Sequence, residues 1–206
     1  MLYLREASED EMILVFLKGE INSIRFQSQI HEVLHNLKMS VEIIDKADLN
    51  NLAENIKRRE ILKNFRGYKN NTDLFENFPD ISRWILAECS NNDINKIRYI
   101  NYSYWNELSK HTSSPLIAAE TIHEGIEIYG ISNSSAINGV DFLVQGGTFP
   151  PIILLTSDKE TYIILEGHSR MTVYGLAPHF FSGSKCYIGF CEESALRKWN
   201  GESFIL

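Results

Sequence analysis

The sequence predicts an α+β fold, and two patterns indicate it. In the second half of the chain, the apolar runs IILL and YIIL flank the polar turn SDKE, as in two buried strands joined by a short connection. In the first half, apolar residues recur every three or four positions, which is typical of amphipathic helices. The polar break KHTSSP divides the two parts. We therefore expect a mostly helical α+β region over residues 1–110 and a strand-rich module over residues 111–206.

The first region is expected to contain more helices than strands. MILVFLKG is assigned to a strand, although Ser8 and Glu11 would form the capping box of a competing helix. Pro79 suits the first turn of a helix, so PDISRWILAE is assigned to a helix. In order, the predicted elements are a strand at LYLREA, a strand at MILVFLKG, a helix over 21–37, a strand at VEII, a helix from Asp48 to Phe65, a helix at PDISRWILAE and a helix at NNDINKIRYINYSYWNELS.

The second region is expected to begin with helices and to continue with strands. VDFLVQGG reads as a short helix that ends at glycines. In order, the predicted elements are a helix at LIAAETIHEGIEIYG that ends near Gly125 or Gly130, a polar loop at ISNSSAING, the helix at VDFLVQGG, strands over 151–156 and 161–166, a helix over 169–177, a strand at KCYIGFC and a helix at EESALRKW.

The charge of the chain restricts its partners. A net charge of −7 and an isoelectric point near 5.4 disfavour an extended nucleic-acid interface, because phosphate backbones repel an acidic surface. A single small nucleotide remains compatible, since one local pocket can be positive on a negative protein. The basic stretch over 57–69 is assigned to a solvated helix face.

The remaining composition favours a reduced, cytoplasmic protein. Three cysteines are too few for a disulfide scaffold, and an odd number leaves at least one unpaired. Cys186 and Cys191 are expected on opposite faces of one strand. Early charges exclude the apolar core of a signal peptide, and no uncharged apolar run approaches the ~20 residues of a membrane span. We expect no membrane contact.

The segment EGHSR, residues 166–170, is the main candidate for a binding site. Gly167 permits a sharp turn between a strand and a helix, and the first turn of that helix exposes N–H groups that favour an anion. Arg170 would add a bidentate grip on phosphate, while Glu166 would hold magnesium or accept a proton. The competing interpretation is an ordinary connection whose arginine pairs with a nearby carboxylate.

The stretch FPPIILLTSDKETYIILEGHSRMTVYGL resembles the core of the ParB/sulfiredoxin-like family, and the resemblance covers about residues 115–191. VDFLVQGG, PPIILL, SDKE, YIILE and GHSR match the family's short helix, first strand, polar turn, second strand and Gly-x-x-Arg helix start, and KCYIGF fits its next strand. The resemblance implies a small mixed sheet as the core of the fold. It also implies that Gly167, His168, Ser169 and Arg170 cradle the phosphates of a nucleotide.

Departures from the family's pattern narrow the expected function. Sulfiredoxins place a catalytic cysteine where this chain has His168, which argues against sulfinic-acid reduction. ParB partition proteins place a glutamate and two arginines after the glycine and bind CTP, whereas His168 and Ser169 replace the first two here. The segment after Arg170 is also too short for their DNA-binding domain. EGHSR is more similar to the Asp-Gly-His-His-Arg pattern of free-serine kinases.

By this resemblance, the ligand is a small nucleotide (ATP, ADP or CTP), with Mg²⁺ as its metal. Glu166 and His168 would be the catalytic residues, and Glu166 would also hold the metal. A magnesium-dependent phosphotransferase or nucleotidase is the first expectation. A non-catalytic regulatory or protein-interaction module on the same fold is the alternative, and the sequence leaves open whether any reaction is catalysed.

HEVLH, residues 31–35, is a second motif and belongs to a different class of protein. On a helix, His31 and His35 would lie one turn apart and grip a zinc ion, with Glu32 activating water and Glu54 as a further ligand. This pattern gives a zinc hydrolase as the second alternative. The two histidines also flank the apolar stripe of an amphipathic helix, and we favour that simpler interpretation.

Overall fold

The computed structural model describes residues 1–23 and 25–201. Within them, six strands form one mixed sheet in the order β1-β2-β6-β4-β5-β3. The predicted α+β class is therefore confirmed. The strands are β1 (Leu2–Ala7), β2 (Arg83–Glu88), β3 (Ile97–Arg98), β4 (Ile152–Thr156), β5 (Tyr162–Glu166) and β6 (Lys185–Phe190).

Strands from both halves of the chain share this sheet: β6, β4 and β5 of the second half lie together between β2 and β3 of the first half. β2 pairs antiparallel with both β1 and β6, β4 pairs antiparallel with β5, and β4–β6 and β3–β5 are parallel pairs. The regions 1–110 and 111–206 contribute three strands each, so strand pairing joins them. The last positions of the second region, 202–206, lie outside the described residues.

Helices cover the sheet. They are α1 (Glu9–Ile21), α2 (Gln27–Asn36), α3 (Glu42–Asp45), α4 (Leu52–Arg66), α5 (Ser103–Leu108), α6 (Pro115–His123), α7 (Ser134–Val144), α8 (His168–Leu176) and α9 (Glu193–Asn200). Helix α1 packs against α2 and α4, while α8 packs against α6 and α7. The first helical group therefore comes from the first half of the chain, and the second group comes from the second half.

Two apolar segments of the first region differ from their predicted structure. MILVFLKG lies in α1, which begins with the capping box of Ser8 and Glu11, so the competing interpretation was right. Its side chains from Met12 to Leu14 are all buried, which explains why no helical period was visible. VEII contributes to the short helix α3 rather than to a strand.

Two further helix predictions in this region were wrong or too long. PDISRWILAE forms β2, because Trp84, Ile85 and Ala87 are buried in a strand paired on both sides. NNDINKIRYINYSYWNELS is divided into a 3-10 turn over Asn91–Lys96, strand β3 and helix α5. Tertiary pairing overrides local preference at both places. The predicted helix over 21–37 corresponds to the end of α1, a turn and α2, and its position Ile24 lies outside the described residues.

In the second region the strands and α8 agree closely with the sequence, but the helices before them do not. Helix α6 ends at His123, earlier than predicted, and α7 begins at Ser134, inside the segment predicted to be a polar loop. β4 is buried throughout, and β5 is buried up to Glu166, as the apolar runs IILL and YIIL predict. The predicted helix over 169–177 and strand at KCYIGFC correspond to α8 and β6. Within the described part of the chain, no helix has the length and apolar character needed to span a membrane.

Candidate functional site

The EGHSR turn connects β5 to α8 as predicted. Gly167 has φ = 103° and ψ = 22°, a left-handed conformation that other residues rarely adopt. A Cβ atom on Gly167 would lie 2.7 Å from Cγ2 of Ile152, so packing also requires glycine. The N–H groups of His168, Ser169 and Arg170 form the first turn of α8, where the helix itself provides no acceptor.

Arg170 is bonded to protein groups rather than left free for a ligand. Its Nη1 donates to the carbonyl oxygens of Pro150 and Pro151 at 2.8 Å and 2.7 Å. Its Nη2 donates to the carboxylate of Glu166, four residues earlier at the end of β5. Both side chains are largely buried, at 12% and 11% exposure. The guanidinium therefore ties the residues before β4 to the end of β5, and it stabilises the frame of the turn.

His168 is held in an aromatic stack. Its ring lies 5.4 Å from that of Trp105 at an interplanar angle of 17°, and Trp105 stacks on Tyr99 at 4.7 Å. Burial, reinforced by Arg66 and other nearby arginines, lowers the pKa of His168 to about 3. The imidazole is therefore neutral at neutral pH, which makes it a weak proton acceptor there. Its Nε2 atom is buried and has no hydrogen-bond partner among the described residues.

A cleft of about 520 Å³ lies in front of the turn, and the first half of the chain forms its opposite wall. That wall, called here the helical wall, consists of the end of α1, the following turn and the end of α4, and its charged residues are Lys18, Glu20, Arg25 and Arg66. Helix α1 approaches the turn very closely. A Cβ atom on Gly19 would lie 3.0 Å from Oε1 of Glu166.

The helical wall supplies the cations that are free to bind a ligand. Among the described residues, Lys18 and Arg25 make no ion pair, and both are exposed to the cleft. Arg25 lies over the ring of Phe26, with its guanidinium carbon 4.8 Å from the ring centroid. Arg66 lies over the same ring, at 4.7 Å, but it is bonded to Asp73 at 2.7 Å. Arg66 is buried, contrary to the solvated face predicted for the basic stretch.

Glu20 is a functional candidate that the sequence reasoning missed. It is 7% exposed and lines the cleft. Burial, followed by the charge of Glu166, raises the pKa of Glu20 to about 7, although Arg66 and two other arginines oppose the shift. A signal existed in the sequence, because Glu20 lies one turn after the buried Phe16, and an acid on the apolar side of a helix is unusual.

The cleft does not fit a magnesium ion held by protein ligands. The carboxylate of Glu166 is bonded to Arg170, and the other carboxylate, on Glu20, lies 3.6 Å from Arg66. Across residues 1–23 and 25–201, no three His, Cys, Asp or Glu side chains form a group that could hold a metal. The predicted role of Glu166 as a metal ligand therefore gains no support from the geometry.

The HEVLH residues do not assemble a zinc site in the part of the chain that the structure describes. His31, Glu32 and His35 are exposed on α2, as the amphipathic interpretation predicts. Glu54 accepts a hydrogen bond from the buried Arg58 at 3.2 Å. Its carboxylate therefore holds Arg58 within α4.

Comparison of the chain with protein-family models, curated proteins and solved structures finds no match in any of the three. The resemblance to the ParB/sulfiredoxin-like family therefore rests on the EGHSR segment and its neighbouring strands alone, and it stays a prediction.

Proposed function

We propose that the protein binds a nucleotide through its phosphates in the cleft between the EGHSR turn and the helical wall. The observation that carries this proposal is the placement of two cations, Lys18 and Arg25, in the same cleft as the first turn of α8; neither has an ion-pair partner among the residues that the structure describes. On a chain of net charge −7, such a local positive site favours a small polyanion.

The two sides of the cleft would contribute differently to phosphate binding. The N–H groups at the start of α8 favour an anion by about 1 kcal/mol through the helix dipole. Lys18 and Arg25 would form charge-assisted hydrogen bonds, which contribute about 1.5–3 kcal/mol each. Arg170 would act indirectly by fixing the turn, since its terminal nitrogens already have acceptors.

The size and lining of the cleft suit the rest of a nucleotide. A volume of about 520 Å³ lies in the usual range of small-molecule sites. Tyr102 lines the cleft and is 40% exposed, so its ring offers aromatic surface against which a base would stack.

Binding without turnover is a second candidate function, and one observation favours it. Neither residue predicted to be catalytic is well placed for catalysis. Glu166 is bonded to Arg170, and the imidazole of His168 is neutral and stacked on Trp105. A phosphotransferase or nucleotidase needs groups that meet the reacting atoms. A regulatory nucleotide-binding module needs only the cleft.

Titration calorimetry with ATP, ADP, CTP and GTP, each with and without Mg²⁺, tests the proposal. We expect at least one nucleotide to bind and Arg25→Ala to weaken it about tenfold, the loss of one charge-assisted contact. Arg83→Ala is the matched control, since Arg83 also lies over an aromatic ring, 4.5 Å from that of Phe190, but lies outside the cleft. No binding by any nucleotide, or equal losses in both variants, would refute the proposal. A requirement for Mg²⁺ would show that the metal arrives with the phosphates.

A further inference from the structure

The carboxyl group of Glu20 lines the cleft and has one long ion pair. Glu20 is 7% exposed, and neither of its carboxyl oxygens is among the described buried atoms that lack a hydrogen-bond partner. Nη1 of Arg66 lies 3.6 Å from Oε1, which is beyond hydrogen-bond distance, and Nε of Arg66 donates to Asp73 instead. The ion pair is therefore too long to be a hydrogen bond, and a carboxyl group on the cleft wall can still form a hydrogen bond with a ligand.

The groups around Glu20 favour its neutral and its ionised form to similar extents. Burial and the carboxylate of Glu166, on β5, favour the neutral acid, whereas Arg66 on α4, Arg170 on α8 and Arg25 in the turn after α1 favour the carboxylate. The resulting pKa of about 7 divides the group between its two forms at neutral pH. A phosphate placed beside it adds negative charge and shifts the balance toward the acid.

The other ionisable groups of the cleft do not take this role. Lys18, on the same helix as Glu20, is a cation and would attract phosphate without taking up a proton. His168 is neutral, and its pKa of about 3 lies far below neutral pH. Glu166 is already bonded to Arg170. Glu20 is the remaining acid of the lining, and it lies next to Gly19, which packs against Glu166.

We propose that Glu20 binds the phosphate as a neutral carboxylic acid, donating its O–H to a phosphate oxygen, so that ligand binding takes up a proton. The inference rests on the proposed nucleotide site and adds to it the charge state in which the site binds. The proton comes from solvent, it is bound by a carboxylate oxygen of Glu20, and no other bond is made or broken. Binding therefore weakens as the pH rises above 7, where Glu20 alone would be ionised.

The test is calorimetric titration with ADP at pH 7 in two buffers of different ionisation enthalpy, for the unmodified protein and for Glu20→Gln. Subtracting the proton uptake measured with Glu20→Gln from that of the unmodified protein removes the contribution of the protons that ADP itself binds or releases. We expect the unmodified protein to take up about 0.5 proton more per ADP, since a group with a pKa near 7 is half protonated before binding. At pH 8.5 the glutamine variant, which always carries a donor, should bind ADP on the order of tenfold more tightly.

Other results of the calorimetric test would overturn either the role of Glu20 or the nucleotide site as a whole. Equal proton uptake in the two proteins, or a net release by the unmodified protein, overturns the role of Glu20 while leaving the nucleotide site intact. No binding heat in either protein overturns the proposed function and this inference with it. Glu193→Gln, which removes a carboxylate from the exposed face of α9, is the control and should behave as the unmodified protein does.

A second measurement applies if Glu20→Gln does not fold. Carbon-13 NMR of the glutamate carboxyl groups in the unmodified protein follows Glu20 directly. Its titration midpoint should rise when ADP saturates the cleft. A midpoint that falls or does not move overturns the inference.

Discussion

Arg170 in the EGHSR turn and Arg25 in the helical wall use their guanidinium groups in opposite ways. In the EGHSR turn, Arg170 has protein acceptors for both terminal nitrogens and is largely buried. In the helical wall, Arg25 is exposed and makes no ion pair within the described residues, as is also true of Lys18. The turn therefore provides backbone geometry, and the helical wall provides the charge. A short motif identifies where a ligand can approach, while the groups that attract it come from distant parts of the chain.

The largest difference between the walls should appear when Arg170 is removed. Arg170→Ala leaves the Glu166 carboxylate and two carbonyl groups without their donor, and we expect a loss of about 3 kcal/mol in the free energy of unfolding. Urea denaturation measures it. Arg197→Ala is the matched control, since Arg197 also pairs with a glutamate one turn earlier but is half exposed, and it should cost less than about 0.5 kcal/mol. Similar losses in the two variants would show that Arg170 does not support the frame.

His168 should show its structural role as a sensitivity to acid. Its pKa falls from 6.5 to about 3 on folding, so the stabilising neutral form is present above pH 6.5 and is lost as the pH decreases toward 3. His168→Phe keeps an aromatic ring in the stack with Trp105 but cannot titrate. Between pH 7 and pH 4 the unmodified protein should lose on the order of 2–3 kcal/mol relative to this variant. If the free energies of unfolding of the two proteins changed in parallel with pH, the burial of the imidazole would be contradicted.

The free energy of unfolding should depend on pH in the opposite direction because of Glu20. Its pKa rises from 4.5 to about 7 on folding, so its stabilising contribution is complete below pH 4.5 and is lost as the pH rises through 7. Relative to Glu20→Gln, the unmodified protein should lose roughly 2 kcal/mol between pH 5 and pH 8. Denaturation at four pH values in the absence of ligand measures this. A constant difference between the two proteins would show that Glu20 is ionised throughout.

The smallest effect is expected at HEVLH. His31 and His35 are exposed on α2, away from the cleft lining. His31→Ala should leave the metal content and the stability unchanged, the latter within about 0.5 kcal/mol. Zinc present in stoichiometric amount in the purified protein, and lost in this variant, would revive the zinc hydrolase alternative.

Local sequence signals were sufficient for the strands of the second half of the fold. IILL and YIIL are short apolar runs between polar turns, and both became buried strands, while Gly167 marked the turn. The same logic failed at PDISRWILAE, because the partners of β2 are β1 and β6, which lie far away in sequence. A proline before an apolar run does not distinguish the first turn of a helix from the start of a strand.

The candidate site was predictable only on one side. EGHSR could be found because its glycine, histidine and arginine are adjacent in the sequence. Glu20, Arg25 and Arg66 come from two separate helical segments, and only folding places them opposite the turn. The sequence also could not show that Arg170 would donate hydrogen bonds to the carbonyl groups of residues 150 and 151.

The most direct test of the account is to locate the phosphate by NMR. Nitrogen-15-labelled protein, titrated with inorganic pyrophosphate, reports on every backbone amide. We predict the largest shifts at the amides of His168, Ser169 and Arg170 and at those of Lys18 and Arg25, because both walls should contact the anion. Shifts confined to one wall or lying outside the cleft, or none at saturating pyrophosphate, would contradict a phosphate site between the two walls.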